Sequence, residues 1–180
     1  MVICESSHRI SPKTLTMYYP GHAFPILGVS AGIIYLASCG AEEREAVLRS
    51  LDQSGELGDA YTRRALERTF DDAKRRGFAS YERCLHNPNP GKTSALSVGI
   101  MLEGSCAGTV TMIYLSTAMT SADAISRYAE ILVEAANVIA LNLSTGAAEG
   151  RRGAPIPLRL RQAAKADLAN ADCAHSPHVH

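Results

Sequence analysis

Residues 94–102, SALSVGIML, alternate without a break. Leu96, Val98, Ile100 and Leu102 fall on one side, and Ala95, Ser97 and Gly99 on the other. A period of two predicts a strand with one face turned toward a core. The glycine-containing stretch EGSCAG follows, and GTVTMIYL resumes the pattern with Val110, Met112 and Tyr114 opposed to Thr109, Thr111 and Ile113. Two such runs joined this closely pair as an antiparallel hairpin, because parallel partners need a crossover of about a dozen residues or more. A helix-flanked antiparallel sheet therefore fits better than a parallel one.

The remaining periodicity is helical. After an irregular, proline-rich stretch ending at Pro25, a helix is expected over about 29–38, stopping near Gly40. AEEREAVLRSL, 41–51, has acids in its first turn and places Val47, Leu48 and Leu51 on one face. TRRALERTFDDAKRRG, 62–77, sets Leu66, Phe70 and Ala73 on one stripe and ends at a glycine. A long helix over 121–144 opens at Thr120 or Ser121, and Ile125, Tyr128, Leu132, Ala136, Ile139 and Leu143 form its stripe. FASYERCL, 78–85, and the opening MVICES read as further strands, with Cys106 in the hairpin connection. The predicted class is α/β (α+β): an antiparallel sheet with helices packed on it. The folded domain is expected over 1–145, and 146–180 as a mobile tail.

Charge and cysteines narrow the setting. Lysine plus arginine and aspartate plus glutamate number 18 each, so nothing draws this chain generally to nucleic acid or an anionic membrane. Ala23 to Ala41 carries no charge, but Pro25, three glycines and the absence of flanking basic residues favour a buried helix over a membrane span. The 5 cysteines are scattered and form no C-x-x-C pair, which points to a reducing, cytoplasmic setting.

Several short patterns compete for function. GVSAG, 28–32, fits the G-x-S-x-G of a serine hydrolase. Such an elbow needs a buried strand running into the turn, where Pro25 would cost a ladder bond. The only histidine downstream of it outside the tail is His86. Read as G-x-x-x-G, the same letters signify close packing by small residues. Cys84 and Cys106 could approach each other and support a thiol-dependent reductase, although free cysteines more often serve as small core hydrophobes. Cys173, His175, His178 and His180 carry metal-binding side chains at a spacing that matches no structural zinc module, so no functional metal site is expected. The basic residues at 151, 152, 159 and 161 read as a solvated linker. The sheet face bearing Thr93, Ala95, Ser97, Gly99, Thr109, Thr111 and Ile113 is small, hydroxylated and uncharged. Such a face suits a covered or ligand-lined surface.

Taken together, MVICESSHRISP, GHAFPILGVSAGIIYLA, EEREAVL, FDDAKRRGF and TSALSVGI before a hairpin resemble the effector-binding domain of the IclR family of bacterial transcription regulators. The resemblance covers about residues 1–145 and is strongest to regulators of aromatic-acid catabolism. It implies a GAF-like fold, a dimer or tetramer, no catalysis, no cofactor, and a pocket for a small organic acid. Carried over position by position, the pocket residues are Phe24, Ser30, Ala31, Thr93, Ala95, Thr111 and Ile113. Ser30 then becomes a hydrogen-bond donor to the ligand at the start of a helix. Two departures bear on which effector is bound: Ile33 stands where many relatives have Lys or Arg, and Gly99 where many have proline. The winged helix-turn-helix through which relatives read DNA is absent from this sequence, so DNA is expected as a partner only through that segment, and a membrane not at all.

Overall fold

The structure is a computed structural model and describes residues 1–7, 18–57, 63–81 and 93–146. Its elements are α1 (Ser30–Ser38), α2 (Ala41–Gln53), α3 (Arg63–Arg76), β1 (Ala79–Tyr81), β2 (Thr93–Leu102), β3 (Ser105–Leu115) and α4 (Ser121–Gly146), with a 3-10 turn at Ile26–Gly28 before α1. Met1–Ala140 forms one compact unit, and the chain from Leu141 onward is grouped separately.

The three strands pair antiparallel in the order β1-β2-β3. The β2–β3 connection is shorter than its sequence suggests. Only Glu103 and Gly104 turn, with φ of 50° and 82°. Two consecutive left-handed residues match the right-handed twist of the flanking strands, and the glycine adopts that conformation without steric cost. Cys106 therefore lies in β3 and not in the connection. The register slips between Ile100 and Met101: Ile100 pairs with Gly108 and Met101 with Cys106. Ala107 is left over as a bulge.

The two faces of the sheet carry different loads. Leu96, Met112 and Tyr114 cluster with Ala124, Ile125, Tyr128, Ala129 and Leu132 of α4. The Leu/Val/Ile side of the predicted alternation is thus the side that α4 covers. On the other side α1 lies across β2 and β3. Ile34, Leu36 and Ala37 of α1 join Leu48 of α2, and Leu66, Phe70 and Ala73 of α3, in a second core. The stripe predicted for α3 is buried at all three positions. Burying a side chain the size of Phe70 stabilises by roughly 1.5–3 kcal/mol. Gly77, at φ 76°, ends α3 as expected, and the Arg76 guanidinium lies 4.3 Å from the centre of the Phe78 ring.

Helix α4 begins at the expected cap. The Thr120 Oγ1 accepts the Asp123 N–H at 3.1 Å and donates to its carboxylate at 2.5 Å. Its stripe holds through Ala136. Ile139 and Leu143 are 37% and 51% exposed, so the far end of the stripe is not buried as its period predicts. The opening MVICES also departs from expectation. It makes one isolated bridge, Val2 to Ala23, and no strand in the sheet. Its backbone bonds are local: Ile3 N–H to the His22 carbonyl at 3.0 Å, Gly21 N–H to that of Ile3 at 2.8 Å, and Phe24 N–H to that of Met1 at 2.8 Å. These bonds hold the first residues against 19–24 as a flap. Among the described residues, no helix is long and apolar enough to cross a membrane.

Candidate functional site

The site grows from the start of α1. Val29 stands at the cap position, and no side chain caps the helix there. The Ser30 hydroxyl is directed to the sheet instead. It lies 2.7 Å from the Ser97 Oγ, which lies 2.9 Å from the Thr111 Oγ1. Ser30 and Ser97 are 1% and 0% exposed, whereas Thr111 is exposed. A line of three hydroxyls thus runs from the buried helix start, through β2, to the surface of β3. Each hydroxyl can donate once and accept twice. The line therefore satisfies its buried members while leaving Thr111 capacity to meet a polar ligand.

The close approach of α1 depends on Gly32. A Cβ at that position would stand 2.6 Å from the Ile26 carbonyl carbon, 2.8 Å from the Ile26 Cγ1 and closer still to the Ile26 oxygen. A Cβ on Gly28 would meet only Pro25 at an ordinary 3.5 Å. The G-x-x-x-G reading of GVSAG is therefore right about close packing, and the second glycine carries it. Nothing at Ser30 resembles a hydrolase elbow: its partner is a serine, and the preceding segment is a proline followed by a 3-10 turn.

A second pair of hydroxyls marks the other end of the same face. Thr93 is 3% exposed, and the Tyr18 hydroxyl lies 3.2 Å from its Oγ1. The Tyr18 ring stacks on Phe24 with centres 5.7 Å apart, and His22 meets Phe24 edge-on at 4.6 Å. Between the two hydroxyl groups, Ala95 pairs directly with Ile113, and both are half-buried. Thr93 and Ser97 are four residues apart on one strand, or about 13 Å.

The seven sequence-predicted positions are distributed along this surface. Ser30 and Thr111 belong to the hydroxyl line, and Ala31 lies beside Ser30 in the first turn of α1. Ala95 and Ile113 form the middle, while Thr93, with Phe24 through Tyr18, forms the other end. Two members were not among them. Ser97 was visible on the small-residue face but is now the central link. Tyr18 sits in a stretch with no periodicity, so no local signal points to it.

The cysteines argue for inert thiols. Burial pushes the thiols of Cys39 and Cys106 up from their ordinary range, and Cys106 donates to the Gly108 carbonyl at 3.0 Å. A nucleophilic thiol needs the opposite shift. Cys84, the other half of the reductase reading, lies outside the described residues, as does the Cys/His-rich tail. Among the described residues, no group of three or more His, Cys, Asp and Glu side chains could hold a metal ion.

No family model matches the chain. Solved structures do resemble it. A transcriptional regulator of Rhodococcus sp. RHA1 matches with a TM-score of 0.61 at 20% identity, over 75% of this chain and 54% of that one. The inducer-binding domain of the Acinetobacter transcription factor PobR, a double mutant in complex with 3-hydroxybenzoic acid, matches at 0.58 with 14% identity, over 73% and 75% of the two chains. An IclR homologue of Microbacterium hydrocarbonoxydans, in complex with 4-hydroxybenzoate, matches at 0.50 with 22% identity, over 74% and 52%. The chain spans about half the length of the Rhodococcus protein. It has the fold of the effector-binding domains of IclR-type transcription regulators, as its sequence resemblance implied.

Proposed function

We propose that this chain is the ligand-sensing domain of an IclR-type transcription regulator and binds a small organic acid, most suitably an aromatic one. The observation that carries this reading is the hydroxyl line Ser30–Ser97–Thr111, buried at one end and exposed at the other, on an uncharged face of small residues. Hydroxyls orient a polar group there, and the Ala95–Ile113 pair and Phe24 offer apolar surface to a ring. The first turn of α1 adds the positive end of a helix dipole, which favours an anion without a cationic side chain. The aromatic acids bound to two structures of this fold support the ligand class.

In this reading the domain self-associates as a dimer or tetramer, and the effector biases the arrangement of the copies. DNA is read by a winged helix-turn-helix outside this chain, consistent with its balanced charge. The coupling is reciprocal: whatever factor the effector applies to DNA affinity, DNA applies to effector affinity. No catalytic step is required of the domain, and the neutral, buried Cys106 thiol fits that role better than a reductase.

A thermal-shift screen of aromatic and aliphatic carboxylic acids tests the proposal, with Ser30→Ala and Thr111→Val alongside. A ligand at 100 times its Kd adds about 2.7 kcal/mol. That is a rise of roughly 5–10 °C for a domain of this size. A shift from one compound class, lost in both variants relative to their own unliganded Tm, supports the reading. No shift from any acid refutes it.

A further inference from the structure

We infer that Tyr18 is a specificity-determining residue of this site, which contacts the far end of the effector and sets the length of ligand that fits. The inference rests on the sensor reading above and adds to it a second recognition point.

Along the small-residue face, two hydroxyl-bearing positions flank one apolar pair. At one end stand Ser97 and Thr111, directly paired across β2 and β3. At the other stand Thr93 and the Tyr18 hydroxyl. The Ala95–Ile113 pair separates them and offers no hydrogen bond. Side chains four residues apart on a strand share a face at about 13 Å. The hydroxyls that meet the ligand, those of Tyr18 and Thr111, hydrogen-bond Thr93 and Ser97 and so stand a comparable distance apart, and two O–H···O bonds of about 2.7 Å each leave roughly 7–8 Å for the ligand between them. One six-membered ring with polar groups at opposite positions comes close to bridging that span. A ring with adjacent or 1,3-related groups reaches less far, and a ring with only one polar group satisfies only one end.

Tyr18 is built to take part. Its ring is held by stacking on Phe24, and the flap that carries it is fastened by the Ser6 hydroxyl donating to the Tyr18 carbonyl at 2.7 Å. The bond to Thr93 uses one proton of the two hydroxyls. Whichever of them donates, the Tyr18 oxygen keeps a free donor or a free acceptor for a ligand atom. A phenol on a braced ring also loses little rotamer freedom on contact, so its hydrogen bond discriminates well between ligands that do and do not offer a partner.

Isothermal titration calorimetry on the full chain with 4-hydroxybenzoate, 3-hydroxybenzoate and benzoate tests this. Wild type should bind the 4-hydroxy compound roughly 3- to 10-fold more tightly than the other two, the worth of one hydrogen bond. Tyr18→Phe keeps the ring and should erase that preference, weakening the 4-hydroxy compound several-fold more than it weakens benzoate. Thr111→Val, at the opposite end, should weaken all three compounds by a similar factor and keep the preference. A preference that survives Tyr18→Phe overturns the role of Tyr18, and equal binding of all three by wild type overturns the length rule. Aliphatic acids that bind where no aryl acid does would overturn this inference and leave the sensor reading standing. Failure of every acid would remove both.

Discussion

Gly32→Ala is the sharpest test of how α1 is seated. In an ordinary helix the change would gain about 0.5–1 kcal/mol, because alanine loses less backbone entropy than glycine. Here the new Cβ would stand 2.6 Å from the Ile26 carbonyl carbon and 2.8 Å from its Cγ1. Carbon atoms sit comfortably at about 3.5–4.0 Å, and the Ile26 oxygen is closer still, so a shift of well over about 1 Å is needed. The obstruction is mostly backbone, and no rotamer change relieves it. Overpacking of this kind costs about 1–3 kcal/mol or more, and a backbone clash belongs at the upper end. The net loss is about 2–3 kcal/mol, a fall in Tm of roughly 4–12 °C. Gly28→Ala is the control. Its Cβ meets Pro25 at 3.5 Å, and its stability should stay within about 0.5 kcal/mol of wild type. Urea titration and calorimetry of both variants would read the difference. A Gly32→Ala protein as stable as wild type, or a Gly28→Ala protein equally weakened, would refute the seating described here.

Other consequences can be checked in the same preparations. Ser97→Ala removes the central hydroxyl and leaves that of Ser30 buried without its partner, so denaturant titration should show a loss of about 1–3 kcal/mol. Tyr114→Phe should be neutral or stabilising by up to about 1–2 kcal/mol, because the buried Tyr114 hydroxyl has no hydrogen-bond partner among the described residues; a large loss in the same titration would reveal one. The bond from the Tyr35 hydroxyl to Glu43 pushes the Tyr35 pKa from 10.0 up to about 12. Because the folded pKa is the higher one, the stabilisation is complete below about pH 10 and fades as pH rises toward 12, a decline that Tyr35→Phe should flatten in pH-dependent melting. Alkylation followed by peptide mapping should label Cys4 in the native protein and spare the buried Cys39 and Cys106 until it unfolds.

Most of the framework was legible because it is written in local periods. The alternation from Leu96 to Tyr114 predicted both strands and the division of their side chains between two faces, one of which α4 covers, since successive side chains on a strand must point to opposite faces. Leu66, Phe70 and Ala73 marked the buried stripe of α3 by the same logic at helical spacing. Expectations failed where a period continued beyond its packing partner, as at Ile139 and Leu143, or where a β-rich composition had no strand to pair with, as in MVICES. The hairpin was located correctly but drawn too long, because residues 105–108 look like turn material until the bulge at Ala107 lets them pair.

The candidate site divides along the same line. The amino-acid order by itself determined that one sheet face would be small and hydroxylated, and that GVSAG would begin a buried helix. Only the tertiary structure decided which hydroxyls meet. Ser30 and Ser97 are 67 residues apart in the chain, and Tyr18 and Thr93 are 75 apart. No local period relates such positions. They are brought together because α1 and the flap fold back onto β2, and because Gly32 lets the 3-10 turn approach closely enough for the Ser30 hydroxyl to reach the sheet. Local backbone sterics write the strands and helices into the sequence, and the contacts between them exist only once the elements are packed.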